Sequence, residues 1–225
     1  MISVIIPAYN EELALPQTLT HLCRQAGEYE ILLVDGGSTD RTVQVAKAYP
    51  QVTVLSAAKG RASQMNAGAA QARGEWLLFL HADTSLPDGA LARLNALECD
   101  FGVQAGGFLH RFSGEDWRLR LISILDNVRC RRSRIIYGDQ ALFVRRPLLE
   151  RLGGFPHQSI LEDVAFCEKL IRVTTPILLA PPVITDSRKF VQMGIWRSFA
   201  RVLLIILHVQ FRLPTFSPAF FRDVR

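Results

Sequence analysis

The sequence predicts an α/β fold, a mostly parallel sheet flanked by helices, with a C-terminal amphipathic helix. Two observations carry this. Through the first hundred residues, apolar runs of strand length alternate with segments of helical spacing, the rhythm of βα units. Three of the runs also break into polar loops. Val4-Ile5-Ile6 leads into Pro7-Ala8-Tyr9-Asn10-Glu11-Glu12, Ile31–Val34 into Asp35-Gly36-Gly37-Ser38-Thr39-Asp40, and Trp76–Leu80 into His81-Ala82-Asp83. Open α/β sheets bind ligands at the carboxyl ends of their strands, so three such breaks gather polar groups along one edge.

Each element follows from local pattern. Ser3–Pro7 reads as the first strand, and Glu11 to about Ala26 has helical spacing through Leu13, Leu15, Leu19 and Leu22. Glu30–Asp35 is the second strand, and Ser38 can cap a helix over Thr39–Ala48. Val52–Ser56 is a strand, Ala62–Ala72 a helix of small residues able to pack closely, Glu75–Leu80 a strand and Leu86–Leu97 a helix. The rhythm then loosens. Phe101–His110 reads as a strand bent at Gly106-Gly107, and Asp116–Asn127 as an amphipathic helix followed by the basic segment Arg129–Arg134. Asp139–Arg145 is a strand, and Pro147 suits the first turn of a short helix ending at Gly153-Gly154. Leu161–Val173 is helical, Ile177–Leu179 and Val183–Ile184 are short strands, and a long helix runs from Met193 to about Arg212.

At 225 residues, with 49% hydrophobic and 21% charged side chains, the chain suits one well-buried domain. Its +5 charge favours an anionic ligand or an acidic membrane surface. That charge is too mild for nucleic acid, and no aromatic-rich basic repeat supports such a partner. Cys23, Cys99, Cys130 and Cys167 are scattered without a C-x-x-C pair and read as reduced thiols of a cytoplasmic protein. The short apolar start, interrupted by Glu11, does not read as a signal peptide. No run approaches the ~18 apolar residues of a membrane span.

Five motifs stand in order: V-I-I-P-A-Y-N-E-E at Val4–Glu12, V-D-G-G-S-T-D at Val34–Asp40, K-G-R-A-x-Q-M-N-A-G at Lys59–Gly68, H-A-D at His81–Asp83 and L-E-D-V-A-F at Leu161–Phe166. Together they resemble the family 2 glycosyltransferases, the nucleotide-diphospho-sugar enzymes of GT-A fold. The short length, H-A-D and Gly138-Asp139-Gln140 resemble a compact bacterial glycosyltransferase-like subgroup. The resemblance implies one GT-A domain over 1–225. Its parts are a nucleotide-sugar half (1–100), an acceptor and catalytic half (101–192), and a C-terminal helix and tail (193–225).

The residues themselves fit that chemistry. A nucleotide sugar needs a base pocket, ribose contacts and compensation for a diphosphate. The loop Pro7, Tyr9, Asn10 and Glu11 supplies backbone groups and a carboxylate to base and ribose, and Asp35 can accept from a base N–H. Asp35 and Asp40 equally suit turn and helix caps, and Asn10 equally suits a turn. Lys59 and Arg61 flank Gly60 at a helix start, where cations and the helix N-terminus suit phosphate, although a solvated basic loop has the same composition. Gln64 and Asn66 follow on the first turns of that helix, Asn66 placed to orient the loop.

His81, Ala82 and Asp83 occupy the family's D-x-D position, with His81 in place of the first Asp. The resemblance implies that Asp83, with His81, holds Mn²⁺ or Mg²⁺ against the diphosphate. Imidazole suits Mn²⁺ better. Glu162 and Asp163 open a helix, where the dipole favours carboxylates in any case. The functional reading makes Asp163 the general base for an acceptor hydroxyl, with Glu162 orienting it or contacting the acceptor. Asp139 and Gln140 could bond sugar hydroxyls, Gly106-Gly107 could let a sugar approach, and Arg188-Lys189 could close over the pyrophosphate. The family's Q-x-x-R-W motif is absent from Gln192–Arg197, which disfavours processive synthesis.

On a helical wheel Arg197, Arg201, His208 and Arg212 form one polar stripe in an otherwise apolar helix. Such a helix packs on its own domain, meets a second subunit, or lies in a membrane interface through residues 195–221, at the inner face in a cytoplasmic enzyme. The reading is thus an inverting, non-processive, metal-dependent transferase. It would use a UDP- or GDP-linked donor and a hydroxyl acceptor, lipid-linked if the membrane reading holds. The alternatives are a sugar-phosphate nucleotidyltransferase, or a degenerate protein that binds nucleotide sugars without turnover.

Overall fold

The computed structural model describes residues 1–97, 102–158 and 161–211, with side chains placed through Leu204. Expectations for Cys99, Phe101, Ser159-Ile160, the side chain of His208, and everything from Arg212 onward lie outside the described residues. In chain order the elements are β1 (Ile2–Ala8), α1 (Leu15–Leu22), β2 (Tyr29–Asp35), α2 (Thr42–Lys47), β3 (Val52–Ser56), α3 (Arg61–Gln71), β4 (Trp76–Phe79), β5 (Thr84–Ser85), α4 (Ala90–Ala96), β6 (Ala105–Phe112) and α5 (Trp117–Ser133). A 3₁₀ turn (Gly138–Gln140) leads into β7 (Phe143–Arg145), α6 (Arg146–Leu152), α7 (Glu162–Leu170), β8 (Ile177–Thr185), α8 (Arg188–Gln192) and α9 (Ile195–Phe211).

Eight strands form one sheet in the order β3-β2-β1-β4-β7-β6-β8-β5. The first four are parallel, as their alternation with helices requires. Beyond them, β7 runs antiparallel to both β4 and β6, while β6 and β8 are parallel. The two-residue period divides each central strand between two cores. Ile2, Val4 and Ile6 pack with α1 and α4 on one face, while Ile5, Leu32 and Val34 pack with α3, α6 and α7 on the other. Burial on both faces makes β1 and β2 continuously apolar in sequence. The small residues of α3 have a reason: a Cβ on Gly68 would lie 2.5 Å from Ile5 Cγ2.

Several boundaries move. α1 begins at Leu15 rather than Glu11, because Pro16 lacks an N–H and occupies the first turn. α2 is shortened to Thr42–Lys47, and Asp40 bonds the Thr42 N–H (2.9 Å) in place of the expected Ser38 cap. The expected strand Asp139–Arg145 is a turn followed by β7, and Ile177–Thr185 is one strand rather than two. α5 continues through the basic segment to Ser133. It is tied to β6 by side chains standing in for a strand partner. Asn127 Oδ1 accepts the His110 N–H and its amide donates to His110 O (both 2.8 Å), while Ser123 Oγ accepts the Phe112 N–H (3.1 Å). The described cysteines Cys23, Cys130 and Cys167 are free.

Candidate active site

The carboxyl ends of β1 and β2 are stitched into one rim. Asn10 takes the left-handed conformation (φ 55°), and its Oδ1 accepts the Thr39 N–H at 2.8 Å. The N–H groups of Asn10, Glu11 and Glu12 reach Ser38 Oγ, Thr42 Oγ1 and Asp40 Oδ2. Asp35 turns its carboxylate onto the Gly37 and Ser38 N–H groups (3.0 and 3.1 Å). Asn10, Asp35 and Asp40 therefore do the turn work that composition offered as their alternative. A base N–H would share an Asp35 carboxylate that already accepts two backbone donors. Gln64 is buried, its amide donating to Ala8 O and Val34 O (2.7 and 2.8 Å), and Asn66 clamps the backbone of Phe155.

Above this rim the charges converge. Lys189 Nζ, on α8, lies 2.7 Å from Glu11 Oε1. Burial raises the Glu11 carboxyl above its ordinary range, opposed by Lys189; the nearby charges of Asp83 and Arg61 act on it in opposite directions. Loop one, the end of β4, the start of α3 and α8 thus meet at one place. Lys59 stands over the Tyr9 ring, its Nζ 3.9 Å from the centroid, a cation–π contact that draws two expected ligand residues together. The side chains of Pro7 and Ala82 are buried, which leaves them backbone groups to offer, and the Ala82 carbonyl already accepts Thr18 Oγ1 at 2.8 Å. A polar cavity of about 350 Å³ opens beside Asp83, lined further by Leu13, Gln17, Ser113, Asp186 and Arg188. Arg188 itself is engaged with Asp186 at 2.5 Å, so of the Arg188-Lys189 pair it is Lys189 that reaches the charged centre.

Asp163 stands at the start of α7, half-buried. Its Oδ2 accepts the Gly138 N–H at 2.6 Å and its Oδ1 accepts the Val164 N–H at 2.8 Å, which fixes the carboxylate on the Gly138–Gln140 turn. Glu162, the first residue of α7, is buried beside Asp163. Gln140 is fully buried, and its Oε1 accepts the Tyr137 N–H at 3.1 Å, which closes the turn. At Gly106 and Gly107 a side chain would collide with Phe143, Ile177, Ile136 and Gln140, which is reason enough for glycine there.

Asp139 points to a buried cluster. Its Oδ2 lies 3.7 Å from His110 Nε2, and His110 Nδ1 lies 3.9 Å from Asp126 Oδ2. Burial pushes the Asp139 carboxyl up to about 6, with His110 lowering it and Asp126 and Asp163 raising it. His110 escaped the motif reading. Its only signal in the sequence is a polar residue two positions beyond Phe108, on the inward face of a strand.

The donor set tests a metal. Burial, then the charges of Arg61 and Lys189, hold the His81 imidazole well below its ordinary pKa, so it is neutral at pH 7. The ring packs on Gly138, where a Cβ would collide with Nε2. His81 therefore packs between the β4 loop and the Gly138–Gln140 turn, with its imidazole in the neutral form that can ligate a metal. Among the described residues no group of three or more His, Cys, Asp or Glu side chains assembles a self-sufficient metal site. The half-buried Asp83 fits a hard cation held by one carboxylate and completed by substrate phosphates.

The sequence model of glycosyl transferase family 2 matches residues 3–153. A PGL/p-HBAD biosynthesis glycosyltransferase of Mycobacterium tuberculosis is 40% identical over 104 residues, covering 43% of this chain and 41% of its own. An undecaprenyl-phosphate 4-deoxy-4-formamido-L-arabinose transferase of Pseudomonas fluorescens is 28% identical over 193 residues, covering 79% and 56%. The chain spans about half the length of the curated relatives it matches. Among solved structures, a mannosyltransferase from Pyrobaculum calidifontis in complex with GDP-Man and Mn²⁺ superposes with a TM-score of 0.70 at 24% identity, covering 99% of this chain and 67% of that one. S. aureus TarS 1-349 in complex with UDP-GlcNAc gives 0.67 at 21%, covering 83% and 58%. These likenesses show the GT-A fold.

Proposed function

The chain belongs to glycosyl transferase family 2, and from that premise we propose that it moves a sugar from a nucleoside-diphosphate donor to a hydroxyl acceptor, with inversion and one transfer per encounter. The observation that carries this is the meeting of Glu11, Arg61, Asp83 and Lys189 at the strand ends, next to an Asp163 carboxylate aimed by Gly138 N–H. Tyr9, Asn10 and Asp35 border the base and ribose. Lys59 and Arg61, at the start of α3, face the diphosphate. Asp83 would hold Mn²⁺ or Mg²⁺, which when bound supplies charge stabilisation to the departing nucleoside diphosphate. Asp163 takes the acceptor's proton as its oxygen attacks the anomeric carbon.

A thermal-shift panel of uridine, guanosine and thymidine diphosphates and their sugars, with and without Mn²⁺, tests the donor. At least one should raise the melting temperature, and more so with Mn²⁺. A protein unmoved by the whole panel would end the proposal, whereas pyrophosphate release from a nucleoside triphosphate would favour a nucleotidyltransferase.

The acceptor we propose is lipid-linked, reached from the cytoplasmic face of a membrane. The relative acting on undecaprenyl phosphate supports this by its name. The surface supports it by its chemistry. On α5, Trp117, Leu121, Ile124, Leu125 and Val128 share one stripe by their spacing and are all exposed, Trp117 to 65% and Ile124 to 59%. The exposed Trp196, Leu203 and Leu204 of α9 repeat the pattern, and the Trp117 and Trp196 rings lie 6.3 Å apart, joining the two stripes. Exposed Arg120, Arg131, Arg132 and Arg134 flank the α5 stripe. Among the described residues no helix is long and apolar enough to cross a membrane, so contact would be interfacial. Vesicles containing anionic lipid should sediment the protein, and Ile124→Glu with Leu125→Glu should release it. Equal sedimentation of the double variant would remove α5 from the contact.

A further inference from the structure

We propose that His110 is a positioning residue for this active site: through Asp139 it sets the Gly138–Gln140 turn that presents Asp163. The role rests on the reading of Asp163 as the base, and no motif of the family pattern contains His110.

The imidazole is held from every side. Asn127 bonds both backbone groups of His110 where the β6–β8 register shifts, and the ring sits edge-on to Phe112 at 4.6 Å. Its side chain is 1% exposed, with one nitrogen toward Asp126 and the other toward Asp139. Asp126 has a second partner, Arg129, at 2.9 Å, and Arg129 in turn stacks on Tyr137 and donates to Ile135 O. Asp139 lacks that support. Its Oδ1 is buried without a hydrogen-bond partner, as are both His110 ring nitrogens, Asp126 Oδ2 and Gln140 Nε2.

Five orphaned polar atoms in one cluster are costly, and buried polar atoms are normally satisfied by protein or ordered water. Here they converge on the turn whose Gly138 N–H holds Asp163. The imidazole bridges α5, through Asp126, to this turn, through Asp139, beside Arg129, which reaches Gln140 Oε1 at 3.5 Å. Without it Asp139 would face the Asp126 and Asp163 carboxylates with Arg129 as the remaining opposing charge, and like-charge repulsion would push the turn outward.

The Gly138 amide reports the turn directly. Its short bond to Asp163 should place the proton downfield in ¹H–¹⁵N spectra and slow its exchange, and Asp163→Ala identifies the signal. His110→Phe keeps a ring and loses both ring nitrogens; it should move the Gly138 proton upfield and speed its exchange about tenfold, the response to losing about 1.4 kcal/mol of local protection. His110→Gln retains a donor toward Asp139 and should restore most of the shift. In turnover of the donor found by the panel, His110→Phe should lower kcat by about 10²-fold, the scale of a misplaced catalytic group, with KM for the donor held. If His110→Phe does not fold, Asp139→Asn, which removes the turn's side of the contact, should move the same amide. An unmoved Gly138 amide in a folded His110→Phe or Asp139→Asn protein overturns the proposal. Normal turnover in Asp163→Asn would instead remove the base, leaving the amide result to judge the turn.

Discussion

Asp163→Asn is expected to lower sugar transfer by about 10²–10⁴-fold, the usual contribution of a positioned general base, while donor binding persists. The substitution is chosen for what it preserves. Asparagine Oδ1 can still accept the Gly138 N–H that Asp163 holds at 2.6 Å, so the turn keeps its anchor, while the Val164 N–H loses the second carboxylate oxygen. Glu11, Arg61 and Lys189 belong to other elements of the site, where Lys189 holds Glu11 at 2.7 Å, and are untouched. What disappears is the basic oxygen and the negative charge that the start of α7 favours. The thermal shift produced by the donor should match wild type while product formation collapses. Unchanged turnover would transfer the proton-accepting role elsewhere.

Asp83→Asn should abolish the Mn²⁺-dependent part of the donor-induced shift and leave the metal-free part. A neutral amide is a poor ligand for a hard cation, and among the described residues no group of three or more His, Cys, Asp or Glu side chains could hold the ion instead. The loss of Lewis-acid stabilisation is worth several kcal/mol, so transfer should fall by at least about 10²-fold, at roughly 1.4 kcal/mol per tenfold. The fold should survive, because Asp83 serves the structure mainly through its carbonyl, which accepts the Asp186 N–H at 2.9 Å, while its carboxylate accepts a long bond from Thr84 Oγ1 at 3.4 Å that an asparagine oxygen can still accept. One side effect carries its own sign. Asp83 raises the Glu11 pKa, so its removal should bring that carboxyl down toward the ordinary range. A variant that keeps the full Mn²⁺ response would place the ion on other residues.

Much of the site was legible because motif and fold coincide in the parallel half. The loops after Ile6, Val34 and Leu80 follow strands whose apolar runs announce themselves, and α/β topology brings their ends together without further information. Asp83 stands on the third of these loops, whereas Asp163 was legible only through the L-E-D-V-A-F motif. What the motifs did not carry is burial: the side chains of Pro7, Ala82, Gln140 and Glu162 are buried, because a motif records which residues occur together and not which face the solvent. Nor did H-A-D announce that His81 packs against Gly138, 57 positions later.

The sequence by itself determined the family, the alternation of strands and helices in the parallel half, and the polar loops that follow those strands, since these depend on short-range periodicity and on motifs a few residues long. Only the tertiary structure decided how the antiparallel half closes the site. It brought Lys189 to Glu11, Gly138 to Asp163, and His110 between Asp126 and Asp139. Those pairs are far apart along the chain or hidden within unremarkable segments. Their meeting depends on sheet register and helix packing, which no local pattern encodes.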